Sequence, residues 1–192
     1  VLGSTGSIGT QALEIIQAFP DLFKLTGMSC FSNIDLFARQ VSQFKPDYVS
    51  VSSESQKAQL LNMISYQPTV FVGEKGLIDL AQVDMDILLV AIVGTAALPP
   101  VVEAISRVSH IAIANKEVLV AAGEIIMGLV KKHQTTLIPV DSEHSALFQC
   151  LAAVDFDYDM IKRLTLTASG GPFWDRDPAT FSSIQPKDAL KH

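Results

Sequence analysis

Cysteine is scarce in this chain, which has only Cys30 and Cys150 among its 192 residues. Two cysteines without a recurring spacing exclude the disulfide framework that small secreted domains use. We expect both to be reduced thiols with structural roles in a cytosolic type of compartment. Cys150 is disfavoured as a nucleophile, because no neighbouring motif would lower the pKa of its thiol.

Long apolar segments are also missing. The longest uninterrupted apolar run is residues 87–93, which is far short of the roughly 20 residues that cross a bilayer. The opening Val1-Leu2-Gly3 carries no basic segment of the kind that begins a signal peptide. We therefore expect a cytoplasmic protein of bacterial type without a membrane partner, with a plastid form as the alternative. The absence of an initiator Met predicts that residues precede Val1 in the natural chain.

Charge is sparse and mostly negative. Charged residues make up 18% of the chain and hydrophobic residues 48%, and the net charge is -6. An acidic balance of this kind argues against nucleic acid as a partner. An anionic small molecule would need locally focused positive groups or a metal ion. The high apolar content is typical of a parallel sheet that is covered on both faces.

Short apolar strands alternate with helical segments over the first 143 residues. This alternation predicts a doubly wound parallel α/β sheet. The pattern then changes to a helix at 145–153, a strand at 164–167, a turn-rich stretch and a helix that starts at 186. We therefore predict one domain over 1–143 and the beginning of a second over 144–192. The predicted strands of the first domain are 1–2, 25–31, 48–51, 69–72, 87–93, 111–114 and 137–140, and its helices are 8–19, 36–44, 54–64, 76–81, 98–108 and 117–132.

A glycine-rich loop, Gly3-Ser4-Thr5-Gly6-Ser7-Ile8-Gly9, joins the first strand to the first helix. Gly3 permits a tight turn, Gly6 lets a phosphate approach the backbone, and Gly9 lets the helix pack on the sheet. The first two glycines are three residues apart rather than the usual two. The position of the loop in a strand-helix-strand unit nevertheless predicts a dinucleotide site, with phosphates bound by helix N-terminal amides.

The end of the second strand indicates which dinucleotide is preferred. NAD sites usually carry an acidic residue there, which holds the ribose 2′-hydroxyl group. The segment Cys30-Phe31-Ser32-Asn33 contains no carboxylate. This favours NADP, since an acidic group would repel the 2′-phosphate, and Ser32 and Asn33 can donate hydrogen bonds to it.

Two carboxylates, Asp141 and Glu143, follow the strand predicted at 137–140. Side chains two residues apart on a strand point to the same face, so this pair is expected to converge on one cation. Carboxylate oxygens suit Mg²⁺ or Mn²⁺. The adjacent His144 is disfavoured as a third ligand, because a mixed site with imidazole suits softer ions.

Two further segments can receive an anion. Lys116 follows the strand at 111–114, and ligands bind at the carboxyl ends of strands in open α/β sheets. A solvated lysine is the alternative reading, and the adjacent Glu117 has a structural alternative as a carboxylate at a helix N-terminus. In Ala168-Ser169-Gly170-Gly171-Pro172, the serine hydroxyl and backbone amides can form an anion nest; the alternative is a plain tight turn.

Taken together, five segments of this sequence resemble the 1-deoxy-D-xylulose 5-phosphate reductoisomerase family. The resemblance covers the whole chain in order, and five modest motifs in sequence are specific. The segments are the loop Gly3 to Gly9, Ala91-Ile92-Val93-Gly94, Ala114-Asn115-Lys116-Glu117, Pro139-Val140-Asp141-Ser142-Glu143-His144 and Ser169-Gly170-Gly171-Pro172-Phe173.

The resemblance implies a Rossmann-type NADPH-binding domain over 1–143 and the start of an α+β catalytic domain over 144–192. Members of the family convert 1-deoxy-D-xylulose 5-phosphate, a small sugar phosphate, to 2-C-methyl-D-erythritol 4-phosphate in non-mevalonate isoprenoid biosynthesis. They use NADPH and Mg²⁺, Mn²⁺ or Co²⁺, and they act as homodimers. No nucleic acid or membrane partner is implied.

The resemblance also implies a role for particular residues. Lys116 and Glu143 would be catalytic, and Asp141 and Glu143 would bind the metal. The cofactor would contact Thr5, Gly6, Ser7, Ile8, Asn33, Asn115 and Glu117, and the substrate would contact Lys116, Ser142, Glu143, Ser169 and His192.

Two departures from the family pattern limit these expectations. Phe31-Ser32 stands where many members have a small residue followed by a basic or polar one, which leaves the basis of 2′-phosphate recognition open. The family's third metal carboxylate and an Asn-Lys pair for the substrate phosphate would lie beyond His192. We therefore expect these 192 residues alone to bind the cofactor with negligible turnover.

Two alternatives stay open from the sequence. One is another NADP-dependent Rossmann reductase, although neither an activated cysteine nor a basic substrate motif is visible. The other is a non-catalytic NADP-binding module. Metal-dependent turnover distinguishes the family's reaction from both.

Overall fold

The structure is a computed structural model, and it describes residues 1–165, 167 and 170–191. The chain forms two compact units, Val1–Asp141 and Ser142–His192. The assignment of a cofactor domain to 1–143 and of a catalytic domain to 144–192 stays a prediction.

The first unit alternates strands and helices, as the apolar pattern predicts. Its strands are β1 (Gly27–Ser29), β2 (Tyr48–Val51), β3 (Thr69–Val72), β4 (Ile87–Val90), β5 (His110–Ile113) and β6 (Thr136–Pro139). Its helices are α1 (Ser7–Ala18), α2 (Ile34–Phe44), α3 (Glu54–Met63), α4 (Gly73–Leu80), α5 (Leu98–Ala104) and α6 (Glu117–His133).

All strand pairs are parallel, in two sheets of order β1-β2-β3 and β4-β5-β6. The first two residues of the chain join the sheets. Val1 O accepts a hydrogen bond of 3.0 Å from Ser29 N, and Leu2 N donates one of 2.8 Å to Leu89 O. The sheet therefore extends in opposite directions from Val1 and Leu2, and the predicted doubly wound, Rossmann-type architecture is confirmed.

The core consists of two apolar clusters. One contains Leu88 and Ile111, which are neighbours on β4 and β5, and the other contains Phe37, Val41 and Val49. Each of these side chains is at most 1% exposed. Burying a side chain of this size contributes about 1.5–3 kcal/mol. These clusters fix the strand ends at which the candidate site lies.

Helix α2 shows how local sequence sets an element's limits. The Asn33 side chain accepts a hydrogen bond from Leu36 N at 3.2 Å and caps the first turn. The helix ends at Phe44, and Lys45 adopts a left-handed conformation with φ of 47°. The following Pro46 disfavours helical backbone at Lys45, which explains the predicted end.

The second unit contains α7 (Ser142–Ala152), α8 (Pro186–Ala189) and several short 3₁₀ turns. The strand predicted at 164–167 is wrong for its described residues, because Leu164, Thr165 and Thr167 belong to no strand. A strand needs a neighbour for its backbone groups, and none of the described residues of this unit supplies one. Within the described ranges, no helix combines the length and apolarity needed to cross a membrane.

Candidate functional site

The glycine-rich loop lies tightly against the ends of neighbouring strands. Gly3 has a φ of +85°, and a Cβ atom there would lie 2.7 Å from Ala91 O. A Cβ atom on Gly9 would lie 2.1 Å from Gly3 O. Real Cβ atoms do not approach carbonyl oxygens so closely, so both positions require glycine. The loop and the start of α1 are thereby held in one shape.

The N-terminus of α1 can receive an anion. No side chain among the described residues caps this helix, whose N-cap is Gly6. Gly6 and Ser7 are exposed, whereas Thr5 and Ile8 are partly buried. The first backbone amides of a helix have no partner within it and point along the positive end of its dipole. The predicted residues Thr5 to Ile8 therefore form an anion cradle, a helix N-terminus of the kind that binds phosphates, and their contact with a dinucleotide stays a prediction.

The second predicted cofactor segment follows β1. Ser32 and Asn33 are exposed, and Asn33 uses its Oδ1 atom to cap α2. Phe31 is 80% exposed. Cys30 is buried, and burial raises the pKa of its thiol. Its Sγ atom accepts a hydrogen bond of 3.6 Å from Thr5 Oγ1, which links this segment to the glycine-rich loop.

Asn115, another predicted cofactor residue, is 3% exposed and braces the strand ends. Its Nδ2 atom donates to Ile92 O at 2.6 Å and to Gly94 O at 2.8 Å, and its Oδ1 atom accepts from Val118 N at 3.0 Å. Both side-chain N–H groups are therefore used inside the protein. Asn115 ties the segment after β4 to the first turn of α6, and its contact with a cofactor stays a prediction.

Lys116 and Asp141 follow adjacent strands, β5 and β6, and form an ion pair. The Nζ atom of Lys116 lies 2.9 Å from Asp141 Oδ2, and the two side chains are 52% and 13% exposed. The predicted catalytic lysine and the predicted metal ligand are thus in contact within the first unit. Glu117 is exposed in the first turn of α6, where the helix dipole favours a carboxylate.

Asp141 and Glu143 do not lie on one face of a strand, and this prediction is wrong. Strand β6 ends at Pro139 and α7 begins at Ser142, so Glu143 lies in the first helical turn. The change from strand to helix removes the two-residue periodicity on which convergence was predicted. No group of three or more His, Cys, Asp or Glu side chains suited to a metal occurs among the described residues. Two carboxylates remain a donor set of the type that hard cations prefer.

Glu143 and Ser142 line a cavity of about 160 Å³ within the second unit. Thr165 and Thr167 line it too, just before the predicted anion nest. Two of the predicted substrate residues therefore face a common space. Of the other three, Lys116 pairs with Asp141, whereas Ser169 and His192 lie outside the described residues, so the structure does not test them.

Two glutamines near the predicted cofactor segments were missed by the sequence reasoning. Gln40 is 6% exposed and lies on α2 among the buried residues Phe37, Ala38 and Val41. A polar residue within a buried stripe requires hydrogen-bond partners, and this signal was available in the sequence. Gln56, in the first turn of α3, is only partly buried and gave no such signal.

Two family models together match most of this chain. The model described as 1-deoxy-D-xylulose 5-phosphate reductoisomerase matches residues 1–123. The model of the C-terminal domain of the same enzyme matches residues 137–192. The two matches fall largely on the first and the second structural unit.

Curated relatives share the whole length of this chain. The 1-deoxy-D-xylulose 5-phosphate reductoisomerase of Thermoanaerobacter pseudethanolicus is 44% identical over 192 residues, and that of Microcystis aeruginosa is 43% identical over 196 residues. In both cases the match covers 100% of this chain and 50% of the relative. The chain thus spans about half the length of the relatives it matches.

Solved structures of these enzymes have the same fold. The Zymomonas mobilis 1-deoxy-D-xylulose 5-phosphate reductoisomerase in complex with NADPH matches with a TM-score of 0.85 and 33% identity, over 100% of this chain and 50% of that one. A reductoisomerase in complex with NADPH, fosmidomycin and magnesium matches with a TM-score of 0.82 and 35% identity, over 98% of this chain and 49% of that one. The motifs, the fold, the family models and the relatives agree, and the chain belongs to the 1-deoxy-D-xylulose 5-phosphate reductoisomerase family.

Proposed function

We propose that the protein containing this chain converts 1-deoxy-D-xylulose 5-phosphate to 2-C-methyl-D-erythritol 4-phosphate in non-mevalonate isoprenoid biosynthesis. It uses NADPH and a divalent cation, Mg²⁺, Mn²⁺ or Co²⁺. One observation carries the proposal: the anion cradle at α1 and the Lys116–Asp141 pair follow the carboxyl ends of parallel strands in one unit. Such ends lie at one edge of the sheet, where α/β enzymes bind ligands.

The cofactor is held by two segments. The first amides of α1, with Thr5 and Ser7, bind its pyrophosphate. Ser32 and Asn33 donate hydrogen bonds to its 2′-phosphate, and no carboxylate in the segment 30–33 repels that group. This arrangement supports NADPH over NADH as the reductant.

The reacting groups are supplied by the ends of β5 and β6 and by the start of α7. Asp141 and Glu143 bind the cation with a further ligand, and Ser142 and Ser169 bind the sugar phosphate, with His192. When bound, the cation acts as a Lewis acid on the ketone and NADPH supplies the hydride. The Lys116 ammonium group stabilises negative charge that develops on the substrate oxygen.

Family membership supports the remaining assignments. Residues 1–143 form the NADPH-binding domain, and residues 144–192 begin the catalytic domain. The full-length protein is a homodimer in a bacterial-type cytoplasm. No nucleic acid takes part, in keeping with the net charge of -6.

The reaction is tested with the full-length protein, NADPH, 1-deoxy-D-xylulose 5-phosphate and Mn²⁺, with and without a chelator. We expect NADPH oxidation and rearranged product with metal, and neither after chelation. Asp141→Asn or Glu143→Gln should each lower the turnover rate about a thousandfold, the size of several kcal/mol of lost cation stabilisation. Oxidation that survives chelation would indicate another NADP-dependent reductase, and NADPH binding without any turnover would indicate a binding module.

The 192-residue chain alone is a second sample for the same assay. We expect it to bind NADPH and to show negligible turnover, because the relatives are about twice as long. Product formation by this chain at a rate near that of the full-length protein would contradict the assignment of catalytic groups to the remainder.

A further inference from the structure

Gln40 holds the glycine-rich loop from inside the protein. Its Nε2 atom donates to Ser4 O at 2.9 Å, and its Oε1 atom accepts from Ser4 Oγ at 2.8 Å. Ser4 is fully buried, and its own N–H group donates to Ser29 O at 2.9 Å. The two residues are 36 positions apart in the sequence. The side chain of Gln40 is thus satisfied at both ends by a single loop residue.

Helix α2, which carries Gln40, is held in place by its apolar residues. Phe37 and Val41, on either side of Gln40, are both fully buried in the core of the first unit. The helix position does not depend on Gln40, because these apolar residues fix it. Removing the two hydrogen bonds should therefore release the loop rather than the helix.

Gln56 makes an equivalent set of contacts with the segment after β1. Its Nε2 atom donates to Phe31 O at 2.9 Å. Its Oε1 atom accepts from Ser52 N at 3.0 Å and from Ser52 Oγ at 2.9 Å. Phe31 is directly followed by Ser32 and Asn33. Gln56 therefore anchors the segment proposed to bind the 2′-phosphate to the end of β2.

We propose that Gln40 and Gln56 are positioning residues that each set the geometry of one half of the cofactor site. Gln40 fixes the loop that binds the pyrophosphate, and Gln56 fixes the segment that binds the ribose 2′-phosphate. The inference rests on the proposed NADPH binding and adds residues that hold the binding segments without touching the cofactor.

Because each glutamine positions a different segment, its replacement should change the NADPH and NADH affinities in a different way. NADPH and NADH share the pyrophosphate and differ only in the 2′-phosphate. Loosening the glycine-rich loop lowers the affinities for NADPH and NADH by the same factor and leaves their ratio unchanged. Loosening the segment at 31–33 weakens NADPH more than NADH and lowers the ratio. Replacing a residue that only stabilises the core would lower the unfolding temperature without changing the two cofactor affinities or their ratio.

The test measures NADPH and NADH dissociation constants for the full-length protein and for Gln40→Met and Gln56→Met. Methionine keeps the length of the side chain and removes its amide. We expect Gln40→Met to raise the dissociation constants of both cofactors about tenfold, and Gln56→Met to lower the NADPH-to-NADH affinity ratio about tenfold, which is the order of magnitude that a loss of hydrogen bonds costs. Gln82→Met is the matched control, since Gln82 bonds Glu103 at 3.1 Å and contacts neither segment.

Two smaller deletions separate positioning from folding. Ser52→Ala removes the hydroxyl group that donates to Gln56 Oε1 at 2.9 Å and adds no charge, so the NADPH-to-NADH affinity ratio should fall by a smaller factor than in Gln56→Met. Ser4→Ala removes one of the two hydrogen bonds to Gln40. It should lower the affinities for NADPH and NADH by the same factor, which should be smaller than in Gln40→Met. This variant keeps the proposal testable where Gln40→Met does not fold.

The outcomes are distinct. Wild-type protein that binds neither cofactor overturns the proposed function and this inference with it. Wild-type protein that binds NADPH, together with glutamine variants of unchanged affinity and ratio, overturns the inference alone. An altered ratio in Gln40→Met, or an equal loss of both cofactors in Gln56→Met, also contradicts the assignment of one segment to each glutamine.

Discussion

The two units of this chain differ in how they are stabilised. Every buried hydrophobic residue of the described structure lies between Leu2 and Ile126, within the first unit. The described residues of the second unit include no buried side chain, and Tyr158, Trp174 and Leu190 are at least 71% exposed. The first unit therefore has a core of its own, whereas the described part of the second does not.

The residues proposed for function divide in the same way, except that Lys116 and Asp141 lie in the first unit. The proposed cofactor segments are fixed by hydrogen bonds from buried side chains, such as Asn115 to Ile92 O and Gln40 to Ser4 O. Glu143 and Ser142, proposed for metal and substrate, begin a helix with no buried residue. This difference supports the proposal that the first unit binds the cofactor and that cofactor binding is separable from catalysis.

The largest expected effect is a difference in how much the loss of an aromatic ring from each unit lowers the free energy of unfolding. Phe37→Ala removes a fully buried ring from the first unit and should lower the free energy of unfolding by about 3–5 kcal/mol. Trp174→Ala is the matched change in the second unit, where the ring is 77% exposed, and should change it by less than about 0.5 kcal/mol. Chemical denaturation measures both. Equal losses in the free energy of unfolding would contradict the claim that only the first unit has a buried core among the described residues.

A smaller effect tests the packing of the glycine-rich loop. Gly9→Ala would place a Cβ atom 2.1 Å from Gly3 O. The loop must shift, and we expect a loss of about 2 kcal/mol in stability and a weaker NADPH affinity. Gly123→Ala in α6 is the control, because apart from its chain neighbours and the helix's own backbone nothing lies within 4 Å of its Cβ position. Alanine should stabilise that helix by up to about 1 kcal/mol.

Calorimetry and NADPH titration of the two glycine variants give the readout. A Gly9→Ala protein that binds NADPH as tightly as the wild type would show that the loop geometry does not set affinity.

The smallest effect is a pH dependence confined to the first unit. The Tyr66 hydroxyl group donates to Pro46 O at 3.0 Å. Burial, with the Asp47 carboxylate as a second cause, raises the pKa of Tyr66 to about 12. The unfolded chain loses this proton near pH 10, at a lower pH than the folded chain does. The contribution of Tyr66 to stability is therefore complete below about pH 10 and is lost as the pH rises towards 12.

Urea denaturation at several alkaline pH values measures this loss. Tyr66→Phe should flatten the fall in stability above pH 10. Tyr158→Phe, which changes a tyrosine of the second unit that is 71% exposed, should leave the curve unchanged. An unaltered slope in Tyr66→Phe would contradict the prediction.

The sequence predicted the first unit well because local signals and tertiary packing agree there. Strands β2 and β3 occur at the predicted residues, since apolar runs bounded by turn residues coincide with buried sheet positions. Strand β4 was predicted to continue to residue 93 but ends at Val90. The apolar run goes on, yet Val93 is 88% exposed, so hydropathy alone did not mark the end of pairing.

The candidate site was less predictable where the chain changes from strand to helix or where distant residues meet. Strand periodicity continued beyond the strand predicted at 137–140 places Asp141 and Glu143 on one face, but the backbone enters α7 at Ser142 and Glu143 is helical. The ion pair between Lys116 and Asp141 joins residues that are distant in sequence, and only the order of β5 and β6 brings them together. The roles of Gln40 and Gln56 depend on such long-range contacts in the same way.

The most direct test of separable cofactor binding and catalysis is a paired measurement on full-length Glu143→Gln. NADPH affinity is measured by titration, and NADPH oxidation is measured with 1-deoxy-D-xylulose 5-phosphate and Mn²⁺. We expect wild-type affinity for NADPH and a rate of NADPH oxidation that is lower by about a thousandfold. Oxidation at the wild-type rate, or a loss of NADPH binding equal to the loss of turnover, would contradict this expectation.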